Sequence, residues 1–487
     1  MKKYFYSTGL TLSFLLLSLP LFAQNYSNDL EYRKWRVTLI NPIGSNGANA
    51  TDYTAKYSIN LIGGYHGALN GAEFGALFNA EKYYASGVQL AGITNYSQGY
   101  MEGVNITGVI NYSSDYMSGI QFAGVANITG DNLEGINIAG ALNLSGHNSS
   151  GLQFAGIGNA STGTIEGLQF GGLFNAAMDD ISGLQSTAGI NFARNDVEGL
   201  QAAGVANFAG DDISGLQASG GANIALGNIE GLLASGFFNY AGRSASGLMA
   251  TGGVNVARDL EGLAFAGVAN IAKDIQGLMI GTVNYSETAL GLEIGVLNIA
   301  KEFEGAPIGI VSLYGNGRKN IDIRYSDGGF TDVGFTTGTY RVYNSAIIGY
   351  NTNLQRNVYR VGLAVGLEKN ITDSFEKVSN SSLFVNQEFS MLHHFEEDWS
   401  RRKNWIYSYK FLIGKRFGNY ASLYGGPSLN MQVSRVNNSD DYTWYSLWSP
   451  TRKGRQYQFW VGFTVGMRLF HQKDLPLLKD DYNDWDW

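Results

Sequence analysis

A repeat of sixteen residues runs through this chain and restricts it to architectures that stack one small unit many times. Asparagine returns in a single column at Asn79, Asn95, Asn111, Asn127, Asn143, Asn159, Asn175, Asn191, Asn207, Asn223, Asn239, Asn255, Asn270, Asn284 and Asn298. A glycine opens each unit in steps of sixteen from Gly71 to Gly247. The step then shortens to fifteen (Gly262, Gly277) and to fourteen (Gly291, Gly305). A unit this short cannot bury an apolar face alone, so successive copies must lie against each other.

The typical unit reads Gly-Leu-Gln-Phe-Ala-Gly-Val-Ala-Asn-Ile-Ala and is followed by turn residues such as Gly210 to Ser214. An aliphatic follows the opening glycine (Val88, Ile120, Leu152, Leu184), with another apolar residue two places on (Phe122, Phe154, Phe170). That alternation is a half-buried strand. The parity breaks near the middle glycine, and a second short apolar pair flanks the asparagine. Each unit is therefore expected to be two short strands with a bend between them and a turn after them.

Two architectures fit. In a β-solenoid each unit is one coil, and its strands pair in parallel with the coils on either side. In one large antiparallel barrel each unit is one strand. Barrels alternate short and long connections, whereas the eleven steps from Gly71 to Gly247 are all of sixteen residues. This regularity favours the solenoid, with about fifteen coils spaced ~4.8 Å apart along a rod of about 70 Å. The asparagines should then form a structural ladder, since a buried amide without a partner costs around 1–3 kcal/mol. The glutamine column (Gln121, Gln153, Gln169, Gln185, Gln201, Gln217) is expected to point outward on a solvated face.

The flanks differ from the repeat. Residues 1–23 read as a signal peptide: Lys2 and Lys3, an apolar run from Leu10 to Leu21, and Ala23 before the cut. Residues 24–70 should cap the stack, with the repeat occupying 71–315. Residues 316–472 should form an antiparallel β domain or a small barrel, before an acidic aromatic tail at 473–487. Val361, Leu363, Val365 and Leu367 alternate with Arg360, Gly362, Ala364, Gly366 and Glu368. Tyr457 to Leu469 alternates likewise, apart from Trp460. One apolar face opposite a small or polar one is the pattern of a lipid-facing barrel strand.

The tandem Gly-Leu-Gln-x-Ala-Gly-x-x-Asn unit resembles the bacterial surface repeat proteins, a family of exported outer-membrane or cell-surface proteins. The segments Val37 to Gly47, Ser58 to Gly64, Pro307 to Tyr314 and Thr336 to Asn344 share that resemblance. It implies outer-membrane or cell-surface association. It carries no catalytic or ligand-binding residues over.

Chemistry-bearing patterns are sparse. The chain has no cysteine, which excludes disulfides, thiolate metal sites and a lipid-modified N-terminal cysteine. His393 and His394 adjoin in a strand-like stretch, where neighbouring side chains point to opposite faces. Asp179, Asp180, Asp211 and Asp212 share a turn column and read as a solvated acidic edge, without the calcium-binding nonapeptide. Between Gly87 and Gly305, nineteen acidic residues accompany five basic ones, about −14 in all, which disfavours nucleic acid and anionic polysaccharide. The expectation is a non-enzymatic envelope protein with no catalytic residues, metal or cofactor, serving as a spacer or interaction surface. Lipid contact through the C-terminal domain and a protein or glycan partner are its expected interactions. The alternative is an outer-membrane pore made by one large barrel.

Overall fold

The computed structural model describes residues 30–371, 383–396, 404–417, 420–435, 442–452 and 454–470. The signal segment and the acidic aromatic tail lie outside them. The chain is all-β, a parallel solenoid of about 15 turns followed by a closed eight-stranded antiparallel barrel. It divides into two compact units, one ending at Ala250 and one starting at Thr251.

In the first unit, each coil takes the form the sequence predicts. Strand Ile165–Gly171 is followed by a bend at Gly172 and Leu173, strand Phe174–Ala177, and a three-residue turn at 178–180. Coils stack in parallel and in register: Gly167 pairs with Gly183, Gln169 with Gln185, and Asn175 with Asn191. Adjacent copies run in the same direction, so the single large barrel is excluded. The opening glycine is required by geometry. Gly167 has φ +115°, and a Cβ on it would collide with the carbonyl oxygen of Gly151 in the coil before.

The lead-in already belongs to the stack. Strand Glu31–Ile40 pairs in parallel with Tyr53–Asn60, which pairs in parallel with Gly63–Gly75. A short hairpin partner, Ile43–Gly44, and a 3-10 turn, Gly47–Asp52, occupy the connection between the first two strands.

In the second unit the coils continue as Val254–Ala266, Ala269–Ile280 and Val283–Tyr314, again parallel, with Asn255, Asn270 and Asn284 in register. The fifteen-residue step drops one residue from the turn after the asparagine and the fourteen-residue step drops a second from the bend before it, so the register is kept. The barrel strands follow: Arg318–Ser326, Phe330–Gly338, Val342–Asn351, Val358–Asn370, Leu383–Glu396, Asn404–Phe417, Ala421–Ser434 and Arg455–Leu469. Neighbours pair antiparallel, and the first strand pairs with the last (Ile321 with Leu469, Tyr325 with Val465), which closes the barrel. Among the described residues no helix is long and apolar enough to cross a membrane.

Candidate functional site

All fifteen repeat asparagines are buried inside the coils, each at most 2% exposed. In the first unit every Nδ2 from Asn79 to Asn223 donates to Oδ1 of the asparagine one coil on, at 2.8 to 3.0 Å. The same Nδ2 also donates to a backbone carbonyl in the first strand of that next coil, as Asn159 does to Phe170 at 3.1 Å. One amide therefore joins two coils and ties a corner. In the second unit the ladder runs from Asn255 through Asn270 and Asn284 to Asn298, then to Ser312 Oγ at 3.2 Å.

The glutamine column corrects the sequence expectation, because these side chains are also buried at about 1% exposure or less. Gln169, Gln185, Gln201 and Gln217 each donate to the glutamine one coil earlier, at 2.6 to 3.0 Å. Toward the N-terminus, Asn105 and Asn137 stand in the same column, one methylene shorter. Their amides find no protein partner, and neither does Oε1 of Gln121 between them. A second interior column, Ile165, Ile181, Val197, Ile213 and Ile229, is apolar and buried.

Outside, the polarity is reversed. Leu168, Phe154, Ile157 and Val205 stand exposed along the coils, and Leu173 and Phe237 reach 62% and 74% exposure. The turn edge is polar. There Asp180, Asp196 and Asp212 accept the backbone N–H of Asp196, Asp212 and Asn228 respectively, at 3.2, 2.9 and 2.6 Å. Asn132 and Asn148 do the same for Asn148 and Thr164. The acidic turn residues are thus caps for the next coil as well as a solvated edge. Their sixteen-residue spacing was the available signal. Among the described residues only Asp196, Asp211 and Asp212 bring three carboxylates within 4.8 Å of one another. Arg243 lies 3.3 Å from Asp211, and Asp196 and Asp212 are engaged by backbone.

Two buried ionisable groupings escaped the sequence reading. Near the start of the stack, Arg36 donates to Glu73 and Glu81 at 2.8 and 2.5 Å and to Ser58 at 2.7 Å. Burial pushes both carboxyls up. For Glu73, Arg36 and its hydrogen-bond donors outweigh this and hold the group down to about 2. Glu81 stays well above the usual range, so the pair shares one guanidinium with one proton. Burial, with Arg36 nearby, lowers His66 to about 3 and keeps it neutral. In the second unit Glu293 occupies the glutamine column and accepts the Tyr314 hydroxyl at 2.7 Å. Burial raises its carboxyl to about 7 despite that bond.

The barrel repeats the reversal of polarity. Outward-facing Ile348, Phe389, Ile413, Leu423, Leu429 and Val465 are exposed, while Asp322, Arg324, Glu388 and Arg468 are buried inside. Arg324 on the first strand reaches Glu388 on the fifth at 2.7 Å, a bond between opposite walls. Glu368 on the fourth strand accepts from Arg318, Arg416 and Arg468 at 2.9, 2.6 and 2.6 Å. Arg468 also meets Asp322 at 2.7 Å, Lys410 meets Glu388 at 2.9 Å, and Arg360 meets Asp332 at 2.5 Å. An eight-stranded barrel is just wide enough for its side chains, and these ion pairs cross its lumen. Trp460, the exception to the alternation, faces inward and donates Nε1–H to Asp327 at 2.8 Å. His393 and His394 are both buried: His394 stacks on Tyr442 beside Phe330, and His393 lies against Trp405.

Comparison of the chain with protein-family models, with curated proteins and with solved structures finds no match in any of the three.

Proposed function

We propose that this is an exported, non-enzymatic protein of the bacterial envelope, anchored in the outer membrane by its barrel and presenting the solenoid as a spacer with an interaction face along its length. The carrying observation is the barrel's polarity. Its outward face is dominated by Ile, Leu, Val and aromatic residues, and its inward face is polar, with Arg, Lys, Asp and Glu paired across the lumen. In water this arrangement would leave a large apolar belt exposed, well beyond the few hundred Å² usual for a soluble monomer. In a bilayer it satisfies both sides. The solenoid's exposed Leu173, Val205 and Phe237, bordered by the capped acidic turns, supply the interaction face.

Carbonate washing of membranes from cells producing the full chain tests the anchor. The chain should remain with the membranes, and its release as a soluble protein sinks the proposal. The pore reading loses its basis, since the repeats pair in parallel and ion pairs span the small barrel. The purified protein should accordingly give no steady conductance in a planar bilayer.

A further inference from the structure

We infer that the barrel sits in the membrane in one orientation, with the rim that carries the solenoid facing the periplasm and the opposite rim facing outward. The inference rests on the anchor reading above and adds the side on which the coils work. Three observations carry it.

The first is the position of the solenoid's end. The barrel has an even number of strands, so its first strand starts and its last strand ends at one rim, as the Ile321–Leu469 pairing shows. The last coil packs on that same rim. Ser312 N–H donates to Thr337 Oγ1 at 2.9 Å, Gly309 N–H to Asn344 Oδ1 at 3.1 Å, and Asn344 Nδ2 to the Pro307 carbonyl at 3.2 Å. The coils from Thr251 to Tyr314 therefore leave the barrel on this side.

The second is connection length. At the solenoid rim the strands are joined by 339–341, 371–382 and 418–420, two of them only three residues long. At the opposite rim the connections are 327–329, 352–357, 397–403 and 435–454, the last of twenty residues. Membrane barrels keep short turns on the periplasmic side and longer loops outside. Two connections run against this assignment, the twelve-residue 371–382 at the solenoid rim and the three-residue 327–329 at the opposite one, and the longest, 435–454, sets the asymmetry. At the long-loop rim, Trp444, Tyr445, Leu447 and Trp448 are exposed along the outer wall. Trp448 lies 5.3 Å from Phe459, and the Tyr445 hydroxyl donates to the Val461 carbonyl. Tryptophan and tyrosine on an outer wall mark the level of a membrane interface.

The third is the cost of the reverse orientation. A chain that arrives from the periplasm inserts by passing its far-side loops through lipid. In the orientation inferred, only four connections make that passage. In the reverse one, every coil with its buried amide ladder and charged turn would have to cross, and uncompensated polar groups in an apolar medium cost several kcal/mol each. The coils' partners then belong to the periplasm and not to other cells.

The absence of cysteine allows a clean test. Lys273→Cys places one thiol on an exposed coil turn, and Ser449→Cys places one at the long-loop rim, neither at a buried position. A membrane-impermeant maleimide is applied to intact cells producing each full-length variant, and again after the outer membrane is permeabilised. The expected result is labelling of Ser449→Cys on intact cells and loss of labelling for Lys273→Cys until permeabilisation. Labelling of Lys273→Cys on intact cells overturns the inference. So does labelling of neither. In that case carbonate extraction of the same cells distinguishes a long-loop rim that does not reach the outer face, with the chain still membrane-bound, from failure of the anchor reading itself.

Discussion

At the scale of single residues, each amide of the asparagine column holds the coil ahead at two points, one on either side of that coil's bend. Asn159→Ala should destabilise by about 3 kcal/mol, because it strips the acceptor from Asn143 and the donor from Asn175 and Phe170. A lower denaturant midpoint would show it, and an unchanged midpoint would count against the ladder as a stabilising element. Gly167→Ala should cost about 2 kcal/mol or more, since the positive φ and the Gly151 carbonyl both oppose a Cβ. The asparagine column was legible because parallel, in-register stacking turns each position into a line of identical residues. The burial of the glutamines was not. Placing apolar residues inward is the usual rule, and here Leu and Phe columns face out while amides bonded along the axis face in.

At the scale of elements, the interior columns make length-matched ladders. Asn105 and Asn137 interrupt the glutamine series by one methylene each. Replacing both with glutamine should join Gln89 to Gln217 in one run and raise stability by about 1 kcal/mol per new bond. A double variant no more stable than the parent argues against the gap. Glu293 gives the coils of the second unit a pH dependence whose sign follows from its raised carboxyl. The folded state holds the proton up to about 7, against 4.5 when unfolded. Stability is therefore highest below 4.5, falls as pH rises toward 7, and stays reduced above it. The loss approaches roughly 3 kcal/mol. Glu293→Gln should flatten that fall in a pH series of melting curves. If the wild type and the variant lose stability in parallel, Glu293 is not the group responsible.

At the scale of the whole molecule, the barrel is held by side chains that meet across its lumen. Glu368→Gln leaves three guanidiniums facing a neutral amide. It should cost about 3–5 kcal/mol, the usual penalty for breaking a buried ion pair. On unboiled gels the compact barrel form should be lost at a lower temperature than in the wild type. Retention to the same temperature would mean that the cross-lumen pairs do not hold the barrel. The alternation in Val358–Asn370 and Arg455–Leu469 had already separated an apolar face from a polar one. Which partner each inward charge takes was not readable, because Arg324 and Glu388 lie 64 residues apart and meet only when the sheet closes.

The sequence alone determined the period, the single asparagine column and the two-faced C-terminal strands, and it favoured parallel stacking over one large barrel. All of these are local patterns that repeat or alternate within a few residues, and hydrogen bonding along a strand or coil reads them directly. Only the tertiary structure decided that the glutamines line the interior and that Arg36 is shared between Glu73 and Glu81. It also decided that eight strands close around a charged lumen with the last coil on one rim. These features depend on which distant segments come together and on how much room closure leaves between them, and periodicity along the chain does not encode either quantity.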